Sequence, residues 1–282
     1  MNEARDKINV LASLPFFGIH AGAVIGVFLV GIRPALIGWM LVSYVVRMWA
    51  VTAGYHRYFS HRSYETSRTM QFLLGLLGTL ALQKGPLWWA AHHRWHHQHG
   101  DEDVDIHSPM IRGLFWAHMG WILCDKYKHT EWSRIPDLAV YPELRLLDRF
   151  STVPPVLAGI AVWYFAGPAM FVWAGLLATM LEWHTLFIAN SLCHMYGWKR
   201  YPTTDNGRNN PLFGILLLGE GWHNNHHYYP GAARQGFFWW ELDPTYYSIR
   251  FLQMLRLVRN VHEVPARVLA AGAQPTSSTF LP

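Results

Sequence analysis

The sequence predicts an all-α integral membrane protein, with four transmembrane helices in two hairpins and a helical cytoplasmic cap. Three observations carry that expectation. Of 282 residues, 51% are apolar and only 15% charged, with 15 Trp and 17 His, a departure from soluble averages that puts part of the chain in lipid. Four stretches, roughly 13–32, 34–54, 153–173 and 174–194, each supply the roughly 20 largely apolar residues that crossing a bilayer requires. A mean hydropathy of +0.07 is low for membrane helices alone, so a large polar region is expected outside the bilayer.

With no Gly/Ser/Pro-rich linker, residues 1–282 are expected to form a single domain. The first span follows Arg5 and Lys7. It contains Ala21-Gly22-Ala23, a small-residue site of the kind signal peptidases cut, but the apolar run continues through it and predicts an uncleaved span. The first pair of spans is expected to turn at Ile32-Arg33-Pro34 and the second around Trp173, which returns each pair to the side it left. Of 23 Lys and Arg, two precede the first span, 11 lie in 55–152, eight follow 194, and only Arg33 and Arg47 remain. Arg5, Lys7, Arg57, Arg62, Lys199 and Arg200 sit near span ends, where basic residues mark the cytoplasmic side. The cap then comprises 55–152 and 195–282, with both termini cytoplasmic. Met70 to Leu82 is apolar but too short to span and predicts an interfacial or buried helix.

A net charge of +5 and a pI near 9.2 come from scattered basic residues with no nucleic-acid motif. They fit lipid headgroups, an acidic redox partner or a phosphate-bearing substrate instead. Cys124 and Cys193 lack CxxC spacing and are read as free thiols on the reducing side.

Three clusters of histidine fall in the cap: His56-Arg-Tyr-Phe-Ser-His61, His93-Arg-Trp-His96-His97 and His223-Asn-Asn-His226-His227. One H-x-x-H-H pattern arises by chance only about 0.06 times in a chain with this share of histidine. Positions i, i+3 and i+4 share a helix face, so each doubled cluster can converge on one site. Adjacent histidines diverge by about 100° on a helix, so His96 and His97, or His226 and His227, reach different ions. A dimetal centre follows. His56 and His61 are five apart, do not align on a regular helix, and predict unwinding where the second span ends. His194, in Asn190-Ser-Leu-Cys-His194, lies at the same membrane depth. An all-imidazole shell suits iron, copper, zinc or nickel, and it lacks the Glu-x-x-His motif of four-helix di-iron proteins. Asp101, Asp103, Asp105 and Glu220 are placed to accept the second N–H of liganding imidazoles, with a solvated acidic loop as the alternative. His20, His118, His129, His184 and His262 read as ordinary surface or core residues.

These boxes, in this order, resemble the membrane fatty-acid desaturases, most closely the stearoyl-CoA branch of acyl-CoA desaturases in a bacterial-type form without a fused cytochrome b5 domain. The resemblance covers most of residues 45–250 and rests on Thr52-Ala-Gly-Tyr-His-Arg-Tyr-Phe-Ser-His61, Asn190-Ser-Leu-Cys-His194 and Gly219-Glu-Gly-Trp-His-Asn-Asn-His-His227. It implies nine histidine ligands, His56, His61, His93, His96, His97, His194, His223, His226 and His227, with Asn190 touching one ion through a water. It also implies two iron ions, O2 as co-substrate, two electrons per double bond, a kinked acyl tunnel and a fatty acyl thioester substrate, acyl-CoA, desaturated at Δ9. Ile106 stands where the family has proline in Asp-Pro-His, and His92 and His99 are additional. No haem-binding His-Pro-Gly-Gly follows the third box, so electrons are expected from a separate ferredoxin, rubredoxin or cytochrome b5 type protein. The expected location is a bacterial inner membrane.

Removing hydrogen from an unactivated methylene needs an oxidant that metal-activated O2 supplies and an amino-acid side chain does not. The protein then positions the chain, since proximity alone selects among chemically alike methylenes. Trp49, Trp88, Trp89 and Trp183 are candidate tunnel walls, with core packing or an interfacial aromatic belt as the plainer reading. A hydroxylase, acetylenase or oxidative decarboxylase would carry the same boxes. A non-catalytic membrane metal-binding or transport protein would need polar residues facing each other within the spans, where only Arg47, Glu182 and His184 stand out.

Overall fold

The computed structural model describes residues 6–273. Arg5, the expected cytoplasmic termini and the last stretch of the cap, 274–282, lie outside the described residues. The chain is mostly helical. Helix α1 (Leu14–Val30) stops at Gly31, whose φ of 74° suits a residue without a side chain. Pro34 then opens α2 (Pro34–Trp49), at a position where the missing N–H is no loss. Without a break, α2 widens into an 11-residue π-helix, π1 (Ala50–Ser60).

The cap's first part carries β1 (Glu65–Thr66), α3 (Arg68–Thr79), α4 (Pro86–His99), α5 (Pro109–His118), α6 (Pro136–Ala139) and α7 (Pro142–Arg149). Then α8 (Val153–Met170) leads through a second π-helix, π2 (Phe171–Leu177), into α9 (Ala178–Asn190). The rest of the cap contains α10 (Pro211–Leu216), α11 (His223–Tyr228), α12 (Pro244–Met254), β2 (Val258–Arg259) and α13 (Ala266–Ala273). The two strands pair antiparallel, Glu65 with Arg259 and Thr66 with Val258, and tie the two parts of the cap together.

Two helical stretches are long and apolar enough to cross a bilayer, Pro34–Ser60 (27 residues) and Val153–His194 (42 residues, broken at Gly167); Leu14–Val30 is apolar but shorter. Two expectations need correction. The second hairpin turns at Gly167, with φ of 84°, followed by Pro168, and not around Trp173. A Gly-Pro pair combines a left-handed residue with a missing donor, whereas Trp173 sits inside π2 and is buried against Leu36 and Val172. The segment bearing His56 and His61 does not unwind. Its hydrogen bonds step by five, as in His61 N donating to His56 O at 3.2 Å, so residues five apart share a face.

The Met70–Leu82 stretch forms α3, which buries Leu74, Gly75 and Gly78. It packs on π1 so closely that a Cβ on Gly78 would lie 2.1 Å from the Tyr55 ring. The main core joins Met48, Val51, Tyr55 and Phe59 of α2–π1 to Leu74, Leu87, Leu138 and Leu144. Arg57, wholly buried, bridges Glu220 (3.2 Å) and Asp243 (3.0 Å) and donates to Ala233 O (2.7 Å), which fastens π1 to the third histidine box. Gly219, at φ 119°, leaves room for that bridge, since a Cβ there would fall 2.3 Å from the Asp243 carboxylate. Cys124 and Cys193 are free and buried.

Candidate metal centre

Four elements aim histidines at one place. On α4, a helix started by Asp148 accepting from Leu87 N (3.0 Å) and Trp88 N (2.9 Å), His93 and His97 lie one turn apart and His96 points to the other side. On α11 the pattern is mirrored: His226 faces one way, His223 and His227 the other. The result is two groups, His56, His61, His93, His97 and His226 in one, and His96, His194, His223 and His227 in the other. Adjacent histidines in both doubled boxes diverge into different groups, and all nine histidines of the sequence-derived set are brought together.

Within the first group the Nε2 atoms nearly touch: His56 to His226 at 3.0 Å, His56 to His61 at 3.1 Å, His61 to His93 at 2.8 Å and His97 to His226 at 2.9 Å. In the second, His194 and His223 Nε2 are 3.1 Å apart. Carboxylates lie behind four of the rings. Asp105 faces His96 Nδ1 at 3.0 Å, Asp101 faces His194 Nδ1 at 3.1 Å, Asp205 faces His227 Nδ1 at 3.0 Å, and Glu220 contacts His56 Nδ1. A ring that donates its Nδ1–H to a carboxylate presents a lone pair at Nε2. Clusters of such lone pairs in a buried place repel one another unless a cation lies among them. Nitrogens 2.8–3.1 Å apart also match neighbouring ligands around an ion with metal–nitrogen bonds of about 2.1 Å. The residues fit two metal ions.

Burial keeps several of these imidazoles neutral, the form that binds metal. It pushes the His61, His93, His97, His223 and His226 imidazoles well below their ordinary pKa, and their histidine neighbours add to this. Burial likewise takes His227 down to about 4, although Asp205 opposes it. For His96 burial acts downward, but Asp105 outweighs it and raises the pKa.

A family model described as fatty acid desaturase matches residues 33–250. The chain belongs to the fatty acid desaturase family. It is 34% identical over 259 residues to the sn-1 stearoyl-lipid 9-desaturase of Anabaena variabilis, covering 91% of this chain and 95% of that one. It is 33% identical to the sn-2 palmitoyl-lipid 9-desaturase of Nostoc sp. (strain 36), with 91% and 92% covered. An acyl-CoA 5-desaturase of Anemone leveillei is 35% identical, with 79% and 70% covered. The protein is thus an oxidoreductase of a metal-dependent, membrane-associated family that desaturates fatty acyl chains.

The desaturase carries a narrow cavity of about 50 Å³ beside both histidine groups. Val51 and Thr52 of π1 line it, with Trp89, Ile106, Leu186 and Asn190. Of the four tryptophans considered as walls, Trp89 lines this cavity; Trp49 donates to Ser248 Oγ (2.6 Å), Trp88 to Tyr127 O (2.7 Å) and Trp183 to Ala81 O (2.9 Å). Asn190, the last residue of α9, is at the cavity wall. His92, bonded to Trp88 O (2.8 Å), and His99, bonded to Glu102 (2.8 Å), stand apart from both groups. Asp103 is exposed and backs no histidine, so for it the acidic-loop reading is the correct one.

Two features lie outside the ligands and carboxylates singled out from the sequence. Asp205 sits alone in a polar loop. His107 is buried with its ring 4.3 Å from that of His96, and had been visible only as part of Asp105-Ile-His107. Three histidines read as ordinary form a bonded row, His20 to His184 (2.9 Å) and His184 to His118 (3.1 Å), which ends on Ser191 Oγ (3.0 Å).

Proposed function

We propose that this desaturase uses two iron ions, O2 and two externally supplied electrons to place a cis double bond at Δ9 of a saturated acyl chain. The observation that carries the reading is the pair of imidazole groups facing one largely apolar cavity. Iron at such a site supplies an oxidant strong enough to take hydrogen from a methylene. The nine histidines hold the ions, Asn190 reaches one of them through a water, and Asp101, Asp105, Asp205 and Glu220 orient the rings behind them. Val51, Trp89, Ile106 and Leu186 hold the chain and exclude water, so that position selects the carbon attacked. A separate ferredoxin, rubredoxin or cytochrome b5 type protein delivers the electrons.

For the carrier, the two relatives that cover nine-tenths of this chain act on lipid-linked acyl groups, and we infer a membrane glycerolipid as substrate. Acyl-CoA, implied by the sequence resemblance, is the second reading, supported by the acyl-CoA 5-desaturase. The membrane arrangement is four spans in two hairpins, with the metal centre on the cytoplasmic side of a bacterial inner membrane and the whole chain one domain.

The test is aerobic expression in a bacterium lacking this chemistry, with lipid classes separated and double bonds located by mass spectrometry, against a His97→Ala control. A new Δ9 monoene only with the intact chain supports the reading, and its first appearance in glycerolipid or in acyl-CoA decides the carrier. A hydroxylated, acetylenic or shortened product moves the enzyme to a sibling reaction. No change despite bound iron and a supplied donor sinks the assignment.

A further inference from the structure

A long groove runs between α2 and α8, floored by π2 and the start of α9. Its walls are Val42 and Val46 on one side and Val156, Gly159, Ile160 and Trp163 on the other. Helix α8 contributes no buried residue to the fold: Trp163 packs on the Phe171 ring of π2 (centroids 5.4 Å apart), while Val156 and Ile160 are exposed. The polar groups on the floor are already satisfied by the protein. Ser43 Oγ donates to Ala174 O (2.7 Å), and the Arg47 guanidinium reaches Ala174 O (2.5 Å), Gly175 O (3.5 Å) and the Thr179 hydroxyl. Those carbonyls belong to π2, whose widened turn leaves them open to a side-chain donor. What remains for an occupant is mostly apolar surface, which favours hydrocarbon over a polar ligand. From Pro155 to Ala166 the groove wall measures about 16 Å at about 1.5 Å per residue. One leaflet's share of a bilayer core is about 15 Å.

One end of the groove meets Leu80 and Leu82, and the next residue, Gln83, lines the catalytic cavity with His56 and Trp89. The segment 80–85 is therefore the partition between the two spaces. It is held by two hydrogen bonds from side chains of other elements: Trp183 Nε1 donates to Ala81 O (2.9 Å) and the Tyr55 hydroxyl to Lys84 O (3.0 Å). It also contains two non-glycine residues in the left-handed region, Leu82 (φ 55°) and Lys84 (φ 61°), a conformation disfavoured for residues with a side chain. Backbone bonds from Leu80 N, Ala81 N and Leu82 N back to α3 (2.9–3.2 Å) and a bond from Lys84 Nζ to Lys128 O (3.1 Å) add to the two latches, so these contacts hold a strained conformation that a chain passing between the two spaces would release.

We propose that this groove seats an acyl chain of a membrane glycerolipid, which enters sideways from the bilayer and reaches the catalytic cavity past the 80–85 partition. The inference rests on the desaturase reading with a lipid-linked substrate. The test places the iron-loaded full chain in phosphatidylcholine vesicles that include a phosphatidylcholine with a mid-chain diazirine, followed by illumination and mapping of adducts by mass spectrometry. Adducts at Val42, Val156 and Ile160 are expected at least fivefold above those at Phe28 and Leu29, which are exposed on α1 away from the groove. Val42→Trp and Val156→Trp, which fill the groove, are expected to slow desaturation of vesicle lipid at least tenfold with iron content unchanged, while Leu29→Trp leaves it unaltered. Even labelling along all the apolar helices, or filled-groove variants at the parental rate, overturns the proposal. Labelling needs no turnover, so a parent protein that binds iron, is given O2 and a reduced ferredoxin, and yet leaves the lipid saturated counts against the desaturase reading, and the adduct map still decides the groove.

Discussion

Asp205 accepts from His227 Nδ1 at 3.0 Å, and no spacing rule pointed to it. The histidines were legible because H-x-x-H-H matches the helical repeat and so places rings on chosen faces. A lone aspartate in the polar loop 201–207 carries no such mark, and only the fold brings it behind His227. With Asp205, three of the four rings in the His96 group are backed by carboxylates, against one of five in the His56 group. Loss of an orienting carboxylate lowers metal affinity about 10- to 100-fold. Asp205→Ala is therefore expected to drop bound iron from two towards one per chain after dialysis against a weak chelator, read by elemental analysis, with the helical circular dichroism unchanged. Full retention of both ions would show the carboxylate dispensable. Arg57 poses the opposite case, a buried cation between Glu220 and Asp243. Removing one member of such a set strands the other charges and costs about 3–5 kcal/mol. Arg57→Ala should lower the thermal midpoint in detergent by many degrees, and an unshifted midpoint would mean the carboxylates find water or other donors.

The π-helix π1 is the element the sequence described least well. The five-residue gap between His56 and His61 fits neither an α-helix nor a strand, and unwinding was the natural inference. A π-turn resolves it by keeping the backbone bonded while bringing both rings to one side. Such a turn is costly in isolation, and its neighbours support it: Gly78 of α3 lets the Tyr55 ring approach where a Cβ would sit 2.1 Å away. Gly78→Ala is expected to push π1 aside, with the 1–3 kcal/mol loss typical of overpacking and weaker iron retention; a protein that keeps both would show that α3 and not π1 yields. A second support lies at the far end of π1, where Asp137 joins Arg62 (2.7 Å) to Arg94 (2.7 Å) on α4. Burial opposes ionisation of Asp137, yet hydrogen bonds from Arg94 and Arg62 hold its carboxyl at about 2 against an ordinary 3.8. A depressed carboxyl stabilises the fold above the ordinary value, and the effect fades as pH falls from about 4 towards 2. Asp137 is 40% exposed, so the effect is worth about 1 kcal/mol at most. The gap in thermal midpoint between parent and Asp137→Asn should accordingly be small at pH 7 and shrink by pH 3; a gap that widens on acidification would contradict the sign.

At the scale of the molecule, the apolar pattern announced the helices and left their breakpoints to local chemistry. Arg33-Pro34 marks the first turn in the sequence, whereas the second falls at Gly167-Pro168, inside an apolar run, and not around Trp173. The corrected turn leaves α8 short before its bend and gives the limb after Gly167 to π2 and α9, which carry Asn190 and His194 to the metal centre. A centre built from residues after the second and fourth limbs requires both to end on one face. If the basic residues mark that face as cytoplasmic, the Ile32–Pro34 turn must lie on the other. Both natural cysteines are buried and should not react in the folded protein, so introduced ones report position. In intact cells with a permeabilised outer layer, a membrane-impermeant maleimide is expected to label Arg33→Cys and to leave Asp103→Cys untouched until the cells are lysed. Labelling of both sites before lysis would mean that the polypeptide between them does not cross the bilayer an odd number of times, and the reverse order would place the metal centre outside the cell. Either result would break the two-hairpin arrangement or its orientation while leaving the histidine geometry intact.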